Sequence, residues 1–274
     1  MKILISADME GITGVTAWQQ VTPGSAEYQR FRRLMTSDVN AAVRGALAGG
    51  AKEVCVTDGH WDGSNITIED LDPRAHLNTG SPSAFSMMQG IEGGVDGVMF
   101  VGYHARHGTP KAVLDHTWSS SCIHGVWLND APAGEYTLNA ALAGHFDAPV
   151  LLVTGDRAAC NQVSELIHSV ETVVVKTATG RFAADCQPPT VTQPLIEAAA
   201  KQAVRRLKAK TAPAPYRPNC PIRLAVEFQS SDMADQAALM PGMSRDGCRL
   251  SVTLPDMLAA YATFRVIVSL AHPT

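Results

Sequence analysis

The chain opens on a short apolar run, Lys2 to Ala7 (KILISA), that stops at an acidic pair. Its length and β-branched content predict a buried strand. From Tyr28 the pattern changes. Phe31, Met35, Val39, Ala42, Val43, Ala46 and Leu47 recur at helical spacing, Ser25 precedes them as a cap, and Gly49-Gly50 stops them. Further strands are expected at Glu53 to Thr57, Val95 to Tyr103, Val150 to Thr154 and Val173 to Val175. Helical patterns lie at Ala84 to Gln89, Leu138 to Gly144, Ala158 to His168 and Gln193 to Lys210. Alternation of nearly uniform apolar strands with helices predicts an α/β fold around a largely parallel sheet flanked by helices.

The stretch Thr211 to Pro221 (TAPAPYRPNCP) contains four prolines and reads as a linker or extended crossing. Beyond it, strand, helix, strand and helix are expected at Arg223 to Phe228, Met233 to Leu239, Arg249 to Leu254 and Met257 to Leu270. They make a smaller C-terminal α+β unit. The expected division is therefore a catalytic α/β domain at 1–212 and a small domain at 213–274.

Composition narrows the function. The formal charge of −4 offers no basic excess for a nucleic-acid backbone. No apolar run reaches the ~18 residues of a membrane span, and the acidic pair interrupts what a signal peptide would keep apolar. The six cysteines are scattered with no CxxC pair, so the expectation is reduced thiols in a cytoplasmic protein.

Ligands in an open α/β sheet gather at the carboxyl ends of the strands. The first strand ends in Asp8-Met9-Glu10-Gly11, the second in Asp58-Gly59-His60, and the strand to Tyr103 in His104. Two carboxylates as close as Asp8 and Glu10 repel unless one is protonated or a cation lies between them. Each of these residues alone suits a solvated turn or a hydrogen-bonded histidine. Their coincidence at strand ends favours a metal site. Glu135 opens a helix, where the dipole stabilises an acid. His76, His107, His124, His145, His168 and His272 carry no such pattern.

An ordered set of motifs now adds to this. Ser6-Ala7-Asp8-Met9-Glu10-Gly11 is followed by Asp58-Gly59-His60, Phe85-Ser86-Met87, Gly102-Tyr103-His104-Ala105-Arg106, His116, Asn129, Pro132, Gly134-Glu135 and Leu138-Asn139-Ala140. Pro149-Val150-Leu151, Gly155-Asp156 and Leu239-Met240-Pro241-Gly242 complete it. In this the chain resembles peptidase family M55, the D-aminopeptidases of the DppA type, over nearly its whole length. The resemblance implies a dinuclear zinc aminopeptidase, cytoplasmic and decameric, acting on short peptides with an N-terminal D-residue. By motif match it places the metal ligands on Asp8, Glu10, His60, His104 and Glu135, with Asp8 bridging, and the catalytic histidine on His116. Thr137 and Arg157 depart from the family pattern.

The chemistry is coherent in its own right. Two histidines and three carboxylates suit zinc, and also manganese or cobalt. Two divalent ions against three carboxylates leave one positive charge to balance an activated hydroxide, which would attack the peptide carbonyl. His116 has a pKa range suited to proton transfer. Asp115 and Asp130 are both open as partners for a substrate ammonium. Two alternatives share these residues: a metal-dependent amidase or esterase, with Arg106 the one evident cation for phosphoryl chemistry, and a non-catalytic metal- or peptide-binding protein.

Overall fold

The N-terminal apolar run forms β1 (Lys2–Ala7), inside a seven-stranded sheet. The order across this sheet is β3 (Ala75–Asn78), β2 (Glu53–Asp58), β1, β4 (Gly97–Tyr103), β7 (Val150–Asp156), β8 (Glu171–Gly180) and β9 (Ala183–Cys186). Every pairing is parallel except the β8–β9 hairpin. The structure, a computed structural model, describes residues 1–271, so His272 lies outside the described residues.

Both faces of β1 are covered, which is why its sequence is apolar throughout rather than alternating. Ile3 and Ile5 pack with α2 (Tyr28–Gly49) and α5 (Pro189–Lys208). Leu4 belongs to the opposite core, with α3 (Glu135–His145) and α7 (Met257–Ala271). The short α1 (Trp18–Val21) lies between β1 and α2, and α4 (Arg157–Leu166) follows β7. Among the described residues no helix is long and apolar enough to cross a membrane.

A second, antiparallel sheet runs β11 (Ser244–Asp246), β12 (Arg249–Leu254), β10 (Ile222–Phe228), β5 (Ile123–Leu128) and β6 (Ala131–Ala133). The strands and helices expected after the linker are present, with α6 at Ser231–Ala237. Their sheet, however, also takes in β5 and β6 from before it. β10 pairs with β5 from Leu224↔Leu128 onward.

Local differences from the sequence reading have physical causes. Glu27, not Ser25, is the N-cap of α2, and Ser25 instead accepts the Tyr28 N–H through its carbonyl at 3.2 Å. The helix expected at Ala84 to Gln89 shrinks to one 3-10 turn, Ser86–Met88. The carbonyls of Ala84 and Phe85 accept side-chain donors from α7, Arg265 at 2.7 Å and Tyr261 at 3.1 Å. Ser86 itself has φ 47°, outside the helical region. α5 starts at Pro189 rather than Gln193, since a proline costs no hydrogen bond in the first turn.

Candidate metal centre

The strand order reverses direction between β1 and β4: β2 and β3 lie on one side, β7 and β8 on the other. Such a switch point opens a crevice at the carboxyl ends of the two strands. Asp8 and Glu10 leave β1 there, and His104 leaves β4. The strand ends are in close contact, with the Gly11 N–H donating to Gly102 O at 2.8 Å. A Cβ on Gly11 would lie 2.0 Å from Tyr103 O, and one on Gly102 would lie 2.2 Å from Asp8 O. Only glycine permits this approach.

His60 arrives from the loop after β2. Asp58 holds that loop by accepting the N–H groups of Asn65 (2.6 Å) and Ile66 (2.7 Å). Glu135 arrives at the first position of α3, and its Oε1 accepts the Trp118 N–H at 2.6 Å. Thr137 steadies this helix start by accepting the Gly134 N–H at 3.1 Å.

All six sequence-predicted residues meet in this crevice, and all are buried. Asp8 faces two histidines with its two oxygens. Oδ1 lies 3.2 Å from His60 Nδ1, and Oδ2 lies 3.4 Å from His104 Nε2. Glu10 Oε2 is 3.1 Å from His60 Nδ1, and Glu135 Oε1 is 3.0 Å from His104 Nε2. His116 stacks on His104 with ring centroids 3.9 Å apart and planes 10° from parallel. Its Nε2 lies 3.8 Å from Glu135 Oε1.

Each histidine is fixed from behind by a main-chain carbonyl. His60 Nε2 donates to Val21 O (2.8 Å), His104 Nδ1 to Ala105 O (3.0 Å), and His116 Nδ1 to Leu114 O (2.8 Å). A carbonyl can only accept, so the other ring nitrogen is left to face the cluster. This back-bonding is the arrangement that sets the tautomer and orientation of metal-binding histidines.

The cluster also fits a cation by what it leaves unsatisfied. Asp8 Oδ2, Glu10 Oε2 and His104 Nε2 are buried without a partner in hydrogen-bonding geometry. Unsatisfied buried charge is expensive, and a cation is the usual remedy. Donor atoms of Asp8, Glu10 and His104 lie within 4.8 Å of one another, as do those of His104, His116 and Glu135.

Residues 1–266 match the model of the D-aminopeptidase family, Peptidase_M55. The chain belongs to the D-aminopeptidase family. It is 38% identical over 280 residues to a D-aminopeptidase of Bacillus subtilis (strain 168), covering 100% of this chain and 99% of that one. A solved structure, described as a Zn-dependent D-aminopeptidase DppA from Bacillus subtilis and a self-compartmentalizing protease, superposes with a TM-score of 0.92. Sequence identity to it is 35%, with 100% of this chain and 99% of the other covered.

Electrostatics in this D-aminopeptidase family site follow from burial and proximity. Burial, then the charge of Glu10, pushes the Asp8 carboxyl up to about 7. Burial favours a neutral Glu10, yet His60 outweighs it and holds Glu10 well below the usual carboxylate range. Burial penalises the His104 cation, but Glu135 and Asp8 prevail and raise it to about 10. His60 is raised in the same way, chiefly by Glu10 against burial. His116 moves the other way, lowered first by burial and then by His104.

These directions predict how the metal-free protein responds to pH. A histidine raised from 6.5 stabilises the fold fully below pH 6.5 and loses that contribution as pH rises toward its folded value. Melting temperature of chelator-treated protein should therefore fall from pH 6.5 to 8. Above about 8 the effect flattens, because Lys176 is lowered to about 8 by burial and works in the opposite direction. A melting temperature that climbs between pH 6.5 and 8 would contradict the buried histidine–carboxylate pairs.

Other sequence candidates are occupied elsewhere. Asp115 accepts Arg181 Nε at 2.9 Å and the Gly108 N–H at 2.7 Å. Asp130 is an exposed partner of Arg223 beside the second sheet. Arg106 donates to the Tyr136 hydroxyl at 3.2 Å. Four contributors were not legible in the sequence. Lys176 is fully buried in β8 and donates to Glu10 O (2.6 Å) and Ile12 O (2.8 Å), pinning the loop that carries the acidic pair. Trp61 and Trp118 line a cavity of about 570 Å³ over the cluster, and Trp18 sets its ring edge against His116.

Proposed function

We propose that this chain is a dinuclear zinc aminopeptidase that hydrolyses short peptides with an N-terminal D-amino acid. The observation that carries the reading is the cluster itself: three histidines back-bonded to carbonyls, facing three buried carboxylates, two of which, Asp8 and Glu10, keep an unsatisfied oxygen. Asp8, Glu10 and His60 would hold one ion, and Asp8, His104 and Glu135 the other. The two oxygens of Asp8, turned toward different histidines, support its role as the bridge.

When bound, the ions supply Lewis-acid polarisation of the peptide carbonyl and lower the pKa of the attacking water. The chain supplies the rest. His116 Nδ1–H is committed to Leu114 O, so Nε2 is the proton acceptor. Its lowered pKa keeps Nε2 free at neutral pH, ready to take a proton and pass it to the departing amine. Stacking on His104 and the edge of Trp18 fix the ring for that transfer. Trp61 and Trp118 form an apolar wall of the cavity beside these groups.

The self-compartmentalizing description of the structural neighbour supports a homo-oligomer here, which we take to be a decamer enclosing its active sites. Leu239, 71% exposed in the Leu-Met-Pro-Gly motif, is apolar surface available for such contacts. We also place the protein in the cytoplasm. Cys55, Cys160, Cys186, Cys220 and Cys248 are thiols outside any disulfide, as a reducing compartment favours.

One experiment tests the central reading. Purified protein is analysed for metal, then assayed on paired D- and L-alanyl peptides, with free and acetylated N-termini. The expected result is two zinc ions per chain, faster cleavage of the D-series, and no cleavage after acetylation or chelation. Cleavage of acetylated substrates at the same rate would make it an amidase, and a single ion in active protein would remove the dinuclear centre.

A further inference from the structure

Beside the cavity over the cluster lies a second one of about 220 Å³. Gly59, Trp61, Trp118 and Glu135 line both, so the two are adjoining compartments of one cleft. Both tryptophans at their junction hold left-handed backbone, φ 52° for Trp61 and 66° for Trp118. Non-glycine residues in that region are uncommon and concentrate where a ligand is clamped.

The two compartments differ in charge. The larger is walled by Asp8, Glu10 and Glu135, with His60 and His116. The smaller has an arginine, Arg265, contributed by α7. Its Nη1 donates to the carbonyls of Ser83 and Ala84, which fixes the guanidinium in the wall. Its Nε and Nη2 donate to nothing among the described residues, and no carboxylate there lies within ion-pairing distance of it. A half-buried arginine that lines a cavity and has two donors unused by the described residues is matched to a planar anion.

We infer that Arg265 forms a subsite for the C-terminal carboxylate of a short peptide whose amino end lies over the acidic cluster. This deepens the proposed aminopeptidase reading and rests on it. The carboxylate of a short peptide then meets a fixed positive charge beside the metal centre, and the cleft selects small free peptides over longer chains. An amide or ester at the C-terminus keeps the shape but loses the charge.

The test uses metal-loaded enzyme, D-alanyl-D-alanine and its C-terminal amide. Wild type is compared with Arg265→Met and Arg265→Lys by turnover and by tryptophan-fluorescence titration, since Trp61 and Trp118 border the subsite. In wild type the free acid should bind more tightly than the amide. Arg265→Met should raise KM and Kd for the free acid by about 10–100-fold, the scale of a charge-assisted pair, and leave the amide nearly unchanged. Arg265→Lys should recover part of the loss. Equal losses on both ligands would reduce Arg265 to a brace for Ser83 and Ala84 and overturn the subsite. Equal wild-type affinity for acid and amide would overturn it too. If wild type cleaves neither ligand but binds the acid through Arg265, the aminopeptidase reading fails and the subsite stands.

Discussion

Asp8→Ala is expected to empty the whole metal centre rather than half of it. Asp8 places Oδ1 3.2 Å from His60 and Oδ2 3.4 Å from His104, so it is the one side chain that reaches both sides of the cluster. Without it each proposed ion keeps only two protein ligands. Zinc content should fall from two per chain toward none. Turnover should fall by about 10⁴-fold or more, given several kcal/mol of lost transition-state stabilisation at 1.36 kcal/mol per tenfold. The metal-free variant should still unfold in a cooperative transition, although it loses the Asp8 contacts to His60 and His104. Elemental analysis, kinetics and thermal melts together separate this outcome from misfolding. Retention of one tightly held ion would show that Asp8 is not shared.

His116→Ala should give the opposite pairing of results: normal metal content with turnover reduced ~10²–10⁴-fold, the usual loss for a proton-transfer group. The structure makes this a sharp test. His116 Nε2 also falls within 4.8 Å of donors on His104 and Glu135, a spacing that a third ligand would share. What favours the proton-transfer role is its distance of 3.8 Å from Glu135 Oε1, against 3.0 Å for His104. Loss of one zinc per chain in the variant would make His116 a ligand. A pH–rate profile of the wild type should show its base limb below the ordinary histidine value, because burial and His104 lower it.

The parts of this site that the sequence reveals are those set by strand ends. β1 and β4 are buried on both faces, so their apolar runs end abruptly where the ligands begin, and Asp8, Glu10 and His104 stand out. The glycines beside them mark the approach of two backbones. β5 and β6 escaped notice for the converse reason. Ile123–Leu128 mixes buried, half-buried and exposed positions, includes Gly125, and lacks a clear period. Arg265 belongs to the cleft only because α7 folds back onto Ser83 and Ala84, across 181 residues of chain, and Trp118 packs on Tyr261 and Phe264 of the same helix. Lys176 reads as an ordinary strand residue until β8 is placed under the Glu10 loop.

The carbonyls behind the three histidines have an evolutionary corollary. Val21, Ala105 and Leu114 contribute only their peptide oxygens, which every amino acid possesses. All three side chains are buried, so only substitutions that fit the core are tolerated there, but any such substitution delivers the same acceptor provided the backbone path is kept. The protonation register of the imidazoles is therefore inherited through loop shape, not through residue identity. Drift in these loops is buffered against chemical consequence, whereas a one-residue insertion between Leu114 and His116 would be felt at once.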